Sequence, residues 1–400
     1  MNPNWPNQKL GDLLETCDAG VWGKHTQKGN GLLVLRSTNI TNEGDLDFSN
    51  VAELNIQDKI GKLKLLDGDI LLEKSGGGPD QPVGRVAYFV APNHRVYSFA
   101  NFIQRIRPKP DLIDSRFLFY RLLLLHKIGF TKKLQSQTTG IRNLKLSLYL
   151  KTEIPLPPLK IQKQIVERMD KIVEVQKLND ELIQKADELF QSLLHKELNP
   201  TGKNWETLML KDTMRDISDG NYSSKYPHQS EFVKSGIPFI RANNFKDGII
   251  AWDDMRFIST QKHKELAKGH LKVDDVLIVT RGEIGNVAFV LEEFNDANIN
   301  AQIVRINSGN LVTNRFVFYM LQTESLKKQI YTLTTGTTLK QLPVTNLRKI
   351  KIHLPSMEIQ KRIVEKLSAA QEYKKQLLEQ RSKLKELFDS VLHKSMTPRR

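Results

Sequence analysis

Two long stretches of the chain carry apolar residues at alternating spacings of three and four, which places them along one side of an α-helix. The apolar positions are Ile165, Met169, Ile172, Ile183, Ala186, Phe190 and Leu193 in the first stretch, and Ile363, Leu367, Ala370, Leu377, Leu384, Phe388 and Val391 in the second. At 1.5 Å per residue, helices over Ile161 to Lys196 and Ile359 to Lys394 are each about 54 Å long. A domain of about 150 residues is only about 40 Å across. The pattern therefore predicts two spacer helices.

The two helices belong to a repeat that covers the whole chain. Residues 154–196 and 352–394 agree at about 20 of 43 aligned positions. The regions before the helices also correspond, and they open with Trp5 and Trp205. Such agreement at a fixed offset indicates an internal duplication.

Each copy is predicted to hold the same short elements in the same order: a strand ending in Arg, a hairpin around a glycine loop, another strand, a helix and a polar loop. The predicted strands are 32–36, 69–74 and 101–106 in the first copy, and 237–241, 275–280 and 300–306 in the second. The predicted helices are 115–126 and 314–323, the glycine loops 75–84 and 281–285, and the polar loops 138–144 and 334–339. We interpret the run Gly76 to Gly78 as a hairpin tip.

The connectivity predicts how the helices pair. The second globular region begins where the first helix ends and finishes where the second begins, and the ends of a domain often lie close together. The second helix should therefore run back along the first. We predict an α+β fold in which two tandem, pseudo-twofold-related domains are separated by two long antiparallel helices that form a coiled coil. The predicted boundaries are 1–157, 158–200, 201–355 and 356–400.

Polar residues interrupt the predicted helix seam at Gln176 and Asn179 in one copy and at Lys374 and Arg381 in the other. Such residues commonly set register and partner choice. They could equally face a third protein.

Composition narrows the class of protein. With 39% hydrophobic and 26% charged residues, the chain resembles an ordinary globular protein. The single cysteine, Cys17, excludes an internal disulfide and a cysteine-based zinc site. We find neither a signal peptide nor a membrane span, so we expect a cytoplasmic protein without a membrane partner.

Positive charge is concentrated outside the long helices. The formal net charge is +15. Between Arg85 and Lys145 there are 12 basic residues and two acids, and between Ser325 and Met357 six basic residues and no acid. This clustering favours a polyanionic partner.

The sequence offers no catalytic constellation. It lacks a P-loop, a metal-binding histidine pair at helical spacing and an Asn-Pro-Pro-Tyr-like element for amino methylation. Its only Glu-x-Lys, Glu372 to Lys374, lies within a predicted helix rather than on a strand. We therefore predict a non-catalytic protein with no metal or cofactor of its own.

The polar loops contain residue types that read or hold DNA. Arg can bridge the two acceptors of guanine and Asn or Gln the adenine edge, whereas Ser, Thr and Lys chiefly hold phosphates. The candidates in the first copy are Lys24, Arg36, Asn39, Lys74, Ser75, Arg85 and Arg142. Those in the second are Tyr222, Lys225, Arg241, Asn243, Asn244, Thr280, Arg281, Thr337, Lys340 and Gln341. The scaffolds of the two copies agree while these loops differ, which implies two distinct half-sites.

The chain resembles the specificity subunit of type I restriction-modification systems over essentially its full length. The resemblance rests on Leu156 to Val166 and Leu354 to Val364, each followed by a long helix and preceded by about 150 residues with the hairpin-loop pattern Thr280 to Gly285. Two departures are the longer loop after Lys74 and the isoleucines Ile161 and Ile359, where the family usually has glutamate before the glutamine.

The resemblance implies a non-catalytic reader of double-stranded DNA. Two target recognition domains would each bind one half of a split, asymmetric target, and the paired helices would act as ruler and docking surface. Two modification subunits binding S-adenosylmethionine and two restriction subunits using ATP and Mg²⁺ would be its partners. Helix length places the half-sites about one duplex turn apart, close to 34 Å.

Two alternatives stay open from the residues alone. One is a solitary DNA-binding or regulatory protein, and the other is a coiled-coil scaffold whose globular regions bind protein. Apolar residues off the seam favour further partners over the first; they are Val166, Val173, Leu182, Leu189, Leu194, Val364, Leu378, Leu387 and Leu392.

Overall fold

The computed structural model describes residues 5–26, 31–55, 60–78, 81–93, 95–138, 140–220 and 225–397. The chain divides into two compact units. The first consists of residues 1–180 and 380–400, and the second of residues 181–379. This division differs from the boundaries expected along the chain, because each long helix contributes one half to each unit.

The first unit contains strands β1 to β13. They are β1 (Asn7–Lys9), β2 (Leu14–Ala19), β3 (Lys24–His25), β4 (Leu32–Leu35), β5 (Ala52–Asn55), β6 (Ile70–Glu73), β7 (Ser75–Gly77), β8 (Val86–Tyr88), β9 (Tyr97–Phe99), β10 (Ile103–Pro108), β11 (Gln135–Thr138), β12 (Ile141–Leu144) and β13 (Glu153–Pro155). Its helices are α1 (Ile60–Leu63), α2 (Ser115–Lys127), α3 (Leu146–Tyr149) and the first part of α4 (Leu159–Leu198), with 3₁₀ turns at Leu10–Leu13, Ser37–Asn39 and Phe130–Leu134.

The second unit repeats most of these elements. Its strands are β14 (Glu206–Met209), β15 (Met214–Asp219), β16 (Phe232–Val233), β17 (Ile237–Ile240), β18 (Phe245–Lys246), β19 (Ile249–Ile250), β20 (Arg256–Ile258), β21 (Val276–Val279), β22 (Val287–Phe289), β23 (Asn298–Ile299), β24 (Ile303–Ser308) and β25 (Lys351–Leu354). Its helices are α5 (Leu210–Thr213), α6 (Thr260–Glu265), α7 (Asn314–Leu321), α8 (Glu324–Thr332), α9 (Val344–Leu347) and the first part of α10 (Met357–Met396), with 3₁₀ turns at Gln229–Glu231, Ala242–Asn244 and Glu292–Phe294.

Sheet topology confirms the duplication. The antiparallel order β2-β10-β6-β8 in the first unit corresponds to β15-β24-β21-β22 in the second. The sheet β3-β5-β4-β9 corresponds to β16-β20-β17-β23, and in both the last pair is parallel. The pairs β1-β13 and β14-β25 also match. The α+β fold predicted from the sequence is therefore confirmed in each copy.

In each unit the core forms where the sheet β2-β10-β6-β8, or its counterpart β15-β24-β21-β22, packs against a helix. That helix is α2 or α7, and it has Arg-Phe-x-Phe-Tyr near its start. In the first unit Ile70, Ile106 and Phe117 are buried together. Asp114 caps α2 by accepting a hydrogen bond from the Phe117 amide. In the second unit Thr313 caps α7 in the same way. Burying a side chain of this size contributes about 1.5–3 kcal/mol.

Within each unit the long helices run antiparallel. In the first unit Gln176 donates a hydrogen bond to the Leu384 carbonyl, and Asp180 lies 3.8 Å from Arg381. In the second unit Lys374 pairs with Asp187 and Lys366 with Glu197. The predicted seam residues are buried or half-buried. Of the four polar residues in the predicted seam, Gln176, Lys374 and Arg381 each contact the other long helix. The fourth, Asn179, is 2% exposed.

The glycine run at Gly76 differs from the prediction. Ser75 to Gly77 forms strand β7, which pairs with β12 from the polar loop instead of standing alone as a hairpin tip. Helix α8 is a second difference, because the polar pattern between Glu324 and Thr332 gave no expectation of a helix there.

Candidate nucleic-acid interface

In the first unit, the residues that follow β6 lie against the polar loop. Ser75 Oγ donates a 2.7 Å hydrogen bond to Asn143 Oδ1. The Leu144 amide donates to the Lys74 carbonyl at 2.8 Å, and the Lys74 amide donates to the Phe102 carbonyl at 2.9 Å. The backbone therefore places Ser75 beside Asn143.

The second unit has the same backbone frame. The Leu342 amide donates to the Thr280 carbonyl and the Thr280 amide to the Gln302 carbonyl, at 2.9 and 2.8 Å. Arg281 forms an isolated β-bridge with Gln341. Arg281 and Gln341 consequently occupy the places that Ser75 and Asn143 occupy in the first unit. We call Ser75 with Asn143 the first reading pair, and Arg281 with Gln341 the second reading pair.

Gly282 and Lys340, the chain neighbours of the second reading pair, line a basic cleft of about 730 Å³. Lys327, Lys328 and Lys340 line it together with Tyr331. Lys340 Nζ lies 3.0 Å from the Tyr331 hydroxyl and 4.7 Å from the ring centroid. The hydrogen bond from Lys340 lowers the pKa of Tyr331. Because the lining is cationic and aromatic, it suits phosphates and stacked bases.

The loop beside this cleft also presents an apolar tip that the sequence gave no reason to select. Leu339 on this loop is 87% exposed, and Tyr331 at the end of α8 is 69% exposed. Thr337 is exposed on the same loop. The Thr335 and Gln341 backbones close the loop with two hydrogen bonds of 2.8 and 2.9 Å. Of the predicted residues, Arg281, Thr337, Lys340 and Gln341 are thus brought together.

The first reading pair has an aromatic neighbour that was also missed. Trp22 is 72% exposed and lies edge-on to Phe102, with ring centroids 6.0 Å apart. Phe102 in turn packs beside Gly76. Lys24 is exposed, Lys74 is half-buried, and Arg142 lies opposite Gly77 in the β7–β12 ladder. The sequence signal for this neighbour was a tryptophan two residues after Gly20, since large aromatic side chains that prove to be exposed often mark binding surfaces.

Two predicted base-contacting residues have a structural role. Asn39 is 2% exposed and Asn244 is fully buried. Each accepts a hydrogen bond from the amide of the arginine three residues before it, at 2.8 and 2.9 Å. Their side-chain amides donate to loop carbonyls at Asp47 and Asp253. Their polar atoms therefore hold the turn, and contact of these asparagines with DNA stays a prediction.

Arg85 also takes part in a buried network. It is 8% exposed and forms two hydrogen bonds of 2.9 and 2.7 Å with Glu73. Its guanidinium also donates to the carbonyls of Ser37 and Ile40. The ion pair joins β6 to the Ser37–Asn39 turn and presents no charge to a ligand. Thr280, 5% exposed, likewise donates its hydroxyl to the Gln302 carbonyl.

The remaining candidates lie on the surface. Arg36 is half-buried and donates to the Asn50 carbonyl. In the second unit Arg241 and the exposed Asn243 both donate to the Asp254 carboxylate, at 2.8 and 3.1 Å. The Arg241 hydrogen bond lowers the pKa of Asp254. Lys225 is exposed. Tyr222 lies outside the described residues.

A known protein family matches each of the two copies separately. The chain matches the type I restriction modification DNA specificity domain twice, over residues 2–188 and 202–386. It is 28% identical over 312 residues to the type I restriction enzyme MjaVIII specificity subunit of Methanocaldococcus jannaschii, covering 73% of this chain and 71% of that protein. It is 25% identical over 414 residues to the putative MjaX specificity subunit of the same organism, covering 98% and 92%.

A solved structure shares the fold. A chain described under complex assembly and conformational transition of the type I R-M system gives a TM-score of 0.62 at 18% identity, covering 98% of both chains. The chain is thus a duplicated α+β protein with one polar pair at corresponding places in each copy. This chain belongs to the family of type I restriction modification DNA specificity domains, whose members are non-catalytic DNA-recognition subunits.

Within the described ranges, no helix combines the length and the apolar character needed to cross a bilayer.

Proposed function

We propose that the chain reads a bipartite, asymmetric DNA target, with each unit recognising one half. The observation that carries this proposal is that the two reading pairs share a backbone frame and differ in chemistry. A serine and an asparagine in one frame, and an arginine and a glutamine in the other, favour different base edges. One fold can therefore serve two different half-sites.

The second unit is suited to a half-site that contains guanine or adenine near the reading pair. Arg281 can donate to guanine O6 and N7, and Gln341 can pair with the adenine edge. Lys327, Lys328 and Lys340 can hold the phosphates on either side. Leu339 and Tyr331 add an exposed surface on which bases can stack or pack.

The first unit offers a less charged reading pair. Asn143 can pair with adenine, and Ser75, already hydrogen-bonded to it, holds its amide in position. Trp22 supplies a stacking surface, and Lys24 and Arg142 supply positive charge for phosphates.

The proposal includes the assembly that the family resemblance implies. Two modification subunits with S-adenosylmethionine would methylate adenine, and two restriction subunits would use ATP and Mg²⁺. The chain itself would hold none of these cofactors. Such an assembly would act on DNA in the cytoplasm.

Exposed apolar side chains on the long helices support docking of those subunits. In the first unit Val175, Leu178 and Leu387 are 43%, 52% and 47% exposed. In the second unit Leu182 and Leu189 are 42% and 49% exposed. Exposed leucines along a helix are typical of a face that another protein covers.

Some residues expected on that face lie elsewhere. Leu194 and Leu392 are 3% and 1% exposed and belong to the cores of the second and first unit, respectively. Val166, Val173 and Val364 are partly buried against the same cores.

A genome-wide map of modified adenines in the source organism, with and without this gene, tests the proposal. We expect a split motif to lose methylation on deletion and to regain it when the gene is restored. If no modified motif depends on the gene while the modification subunit is expressed and active, the proposal fails and a solitary DNA-binding protein becomes the better account.

A further inference from the structure

Two histidines and an aspartate of the second unit converge at a place that does not line the basic cleft. His263 lies in α6, His270 in the segment that follows, and Asp296 in the turn before β23. One ligand atom from each lies within 4.8 Å of those from the other two. His263 Nε2 is 3.2 Å from Asp296 Oδ2, and His270 Nδ1 is 3.8 Å from Asp296 Oδ1.

Hydrogen bonds on the far side of each ring fix its orientation. His270 Nε2 lies 2.7 Å from the Leu266 carbonyl, so this nitrogen carries the proton and donates. His263 Nδ1 is hydrogen-bonded to Asn298 Oδ1, where it donates as well. A neutral imidazole has one donor and one acceptor nitrogen. Both rings therefore direct a lone pair toward the Asp296 carboxylate.

Two lone pairs and a carboxylate that face one another suit a cation between them. Imidazole nitrogen and carboxylate oxygen are ligands that zinc accepts, at bond lengths of about 2.0–2.2 Å. Two such ligand atoms on a tetrahedral ion are about 3.3 Å apart, close to the 3.2 Å between His263 and Asp296. Metal-bound histidines also typically donate their other N–H to an oxygen acceptor, as both do here.

The first unit provides an internal comparison. Arg105 donates to the Lys64 carbonyl as Arg305 does to the His270 carbonyl, which makes Lys64 the counterpart of His270. The parallel strand pairs align Ser98 with Asn298. Val96 consequently stands where Asp296 stands in the second unit. A lysine and a valine cannot supply this ligand set, so the constellation is particular to the second unit.

We propose that His263, His270 and Asp296 bind one divalent transition metal ion of the zinc class, with a water completing the coordination. The ion joins α6 to the turn before β23. Backbone hydrogen bonds of 2.9 Å between Leu271 and the 296–297 turn already hold two of these segments together.

Metal titration of the untagged full-length chain tests the proposal. Zinc binding is measured by calorimetry, and Co²⁺ absorption reports tetrahedral coordination. We expect one saturable equivalent per chain. We expect His270→Ala and Asp296→Asn to weaken binding about 10- to 100-fold or more and to abolish the cobalt bands. Asparagine suits position 296 because the backbone there has a φ of 61°, a conformation that Asn tolerates.

His353→Ala serves as the matched control, because His353 is hydrogen-bonded to Thr207 at a distant sheet edge of the same unit. We expect it to bind zinc like the wild type. Absence of saturable zinc binding by the folded wild type would overturn the proposal. Equal binding by the wild type and both ligand variants would overturn it too.

Discussion

At the residue scale, one buried glutamine holds the start of each long helix. Gln360 is fully buried, and its Oε1 accepts a 3.2 Å hydrogen bond from the Thr313 amide. Its Nε2 donates to the carbonyls of Leu311 and Pro355, at 2.9 and 3.1 Å. Gln162 makes the equivalent contacts in the first unit. This network explains why the glutamine recurs in both copies of the repeat.

We expect Gln360→Leu to destabilise the second unit by about 2–4 kcal/mol, because it leaves the Thr313 amide and the Leu311 and Pro355 carbonyls without their buried partner. Urea unfolding of the full chain measures the change. Gln184→Leu is the control, because Gln184 lies exposed on α4 and changes of this kind shift stability by about 0.5 kcal/mol or less. Similar unfolding midpoints for both variants would refute the role assigned to Gln360.

Gly20 and Gly220 are required by close packing. A Cβ atom at Gly20 would lie 2.2 Å from the Ala100 carbonyl oxygen, and at Gly220 2.3 Å from that of Asn300. We expect Gly20→Ala and Gly220→Ala each to cost about 1–3 kcal/mol of unfolding free energy. Gly61→Ala is the control, since nothing lies within 4 Å of the added Cβ. A loss no larger than that of the control would contradict the expected clash.

Sequence reasoning at this scale found residue types but not their roles. Asn39 and Asn244 were recognised as polar residues in corresponding loops, yet asparagine is favoured both at base edges and in turns. Burial decides between these roles, and burial depends on the Asp47 and Asp253 loops that fold over them.

At the scale of elements, periodicity was sufficient where contacts are local. The local pattern was enough to predict the helix seams, the β6–β8 and β21–β22 hairpins and the helices α2 and α7. Strand β7 does not, because its partner β12 lies about 65 residues further along the chain and long-range pairing leaves no local signal. The reading pairs depend on this same kind of contact, so their composition could not be deduced.

Exposed leucines on α4 give a prediction at this scale. We expect Leu189→Lys to weaken capture of the modification subunit by at least about tenfold, since it would place a charge in an apolar contact. Stability should change little, because Leu189 is 49% exposed. Gln191→Lys, at an exposed polar position on the same helix, should capture the subunit like the wild type.

Pull-down of the co-expressed modification subunit measures both variants. Equal capture by Leu189→Lys and Gln191→Lys would exclude this part of α4 from the docking surface.

At the scale of the whole molecule, the two copies share the fold and differ at the residues that we propose to read DNA. The two units share the sheet order, the helix caps and the hydrogen bonds of the buried glutamines Gln162 and Gln360. They differ at the reading pairs and at the metal-binding constellation proposed for the second unit. The repeat, the basic loops and the family could be recognised from the sequence. The exchange of Ser75 and Asn143 for Arg281 and Gln341 within one frame required the structure.

Adenine methylation mapped across the genome in cells that carry reading-pair variants tests the central claim most directly. We expect Arg281→Ala to alter or abolish specificity in one half of a split motif and leave the other half unchanged. Asn143→Ala should affect only the opposite half. Both proteins should be expressed and unfold like the wild type. Loss of specificity at both halves in either variant would contradict independent reading by the two units.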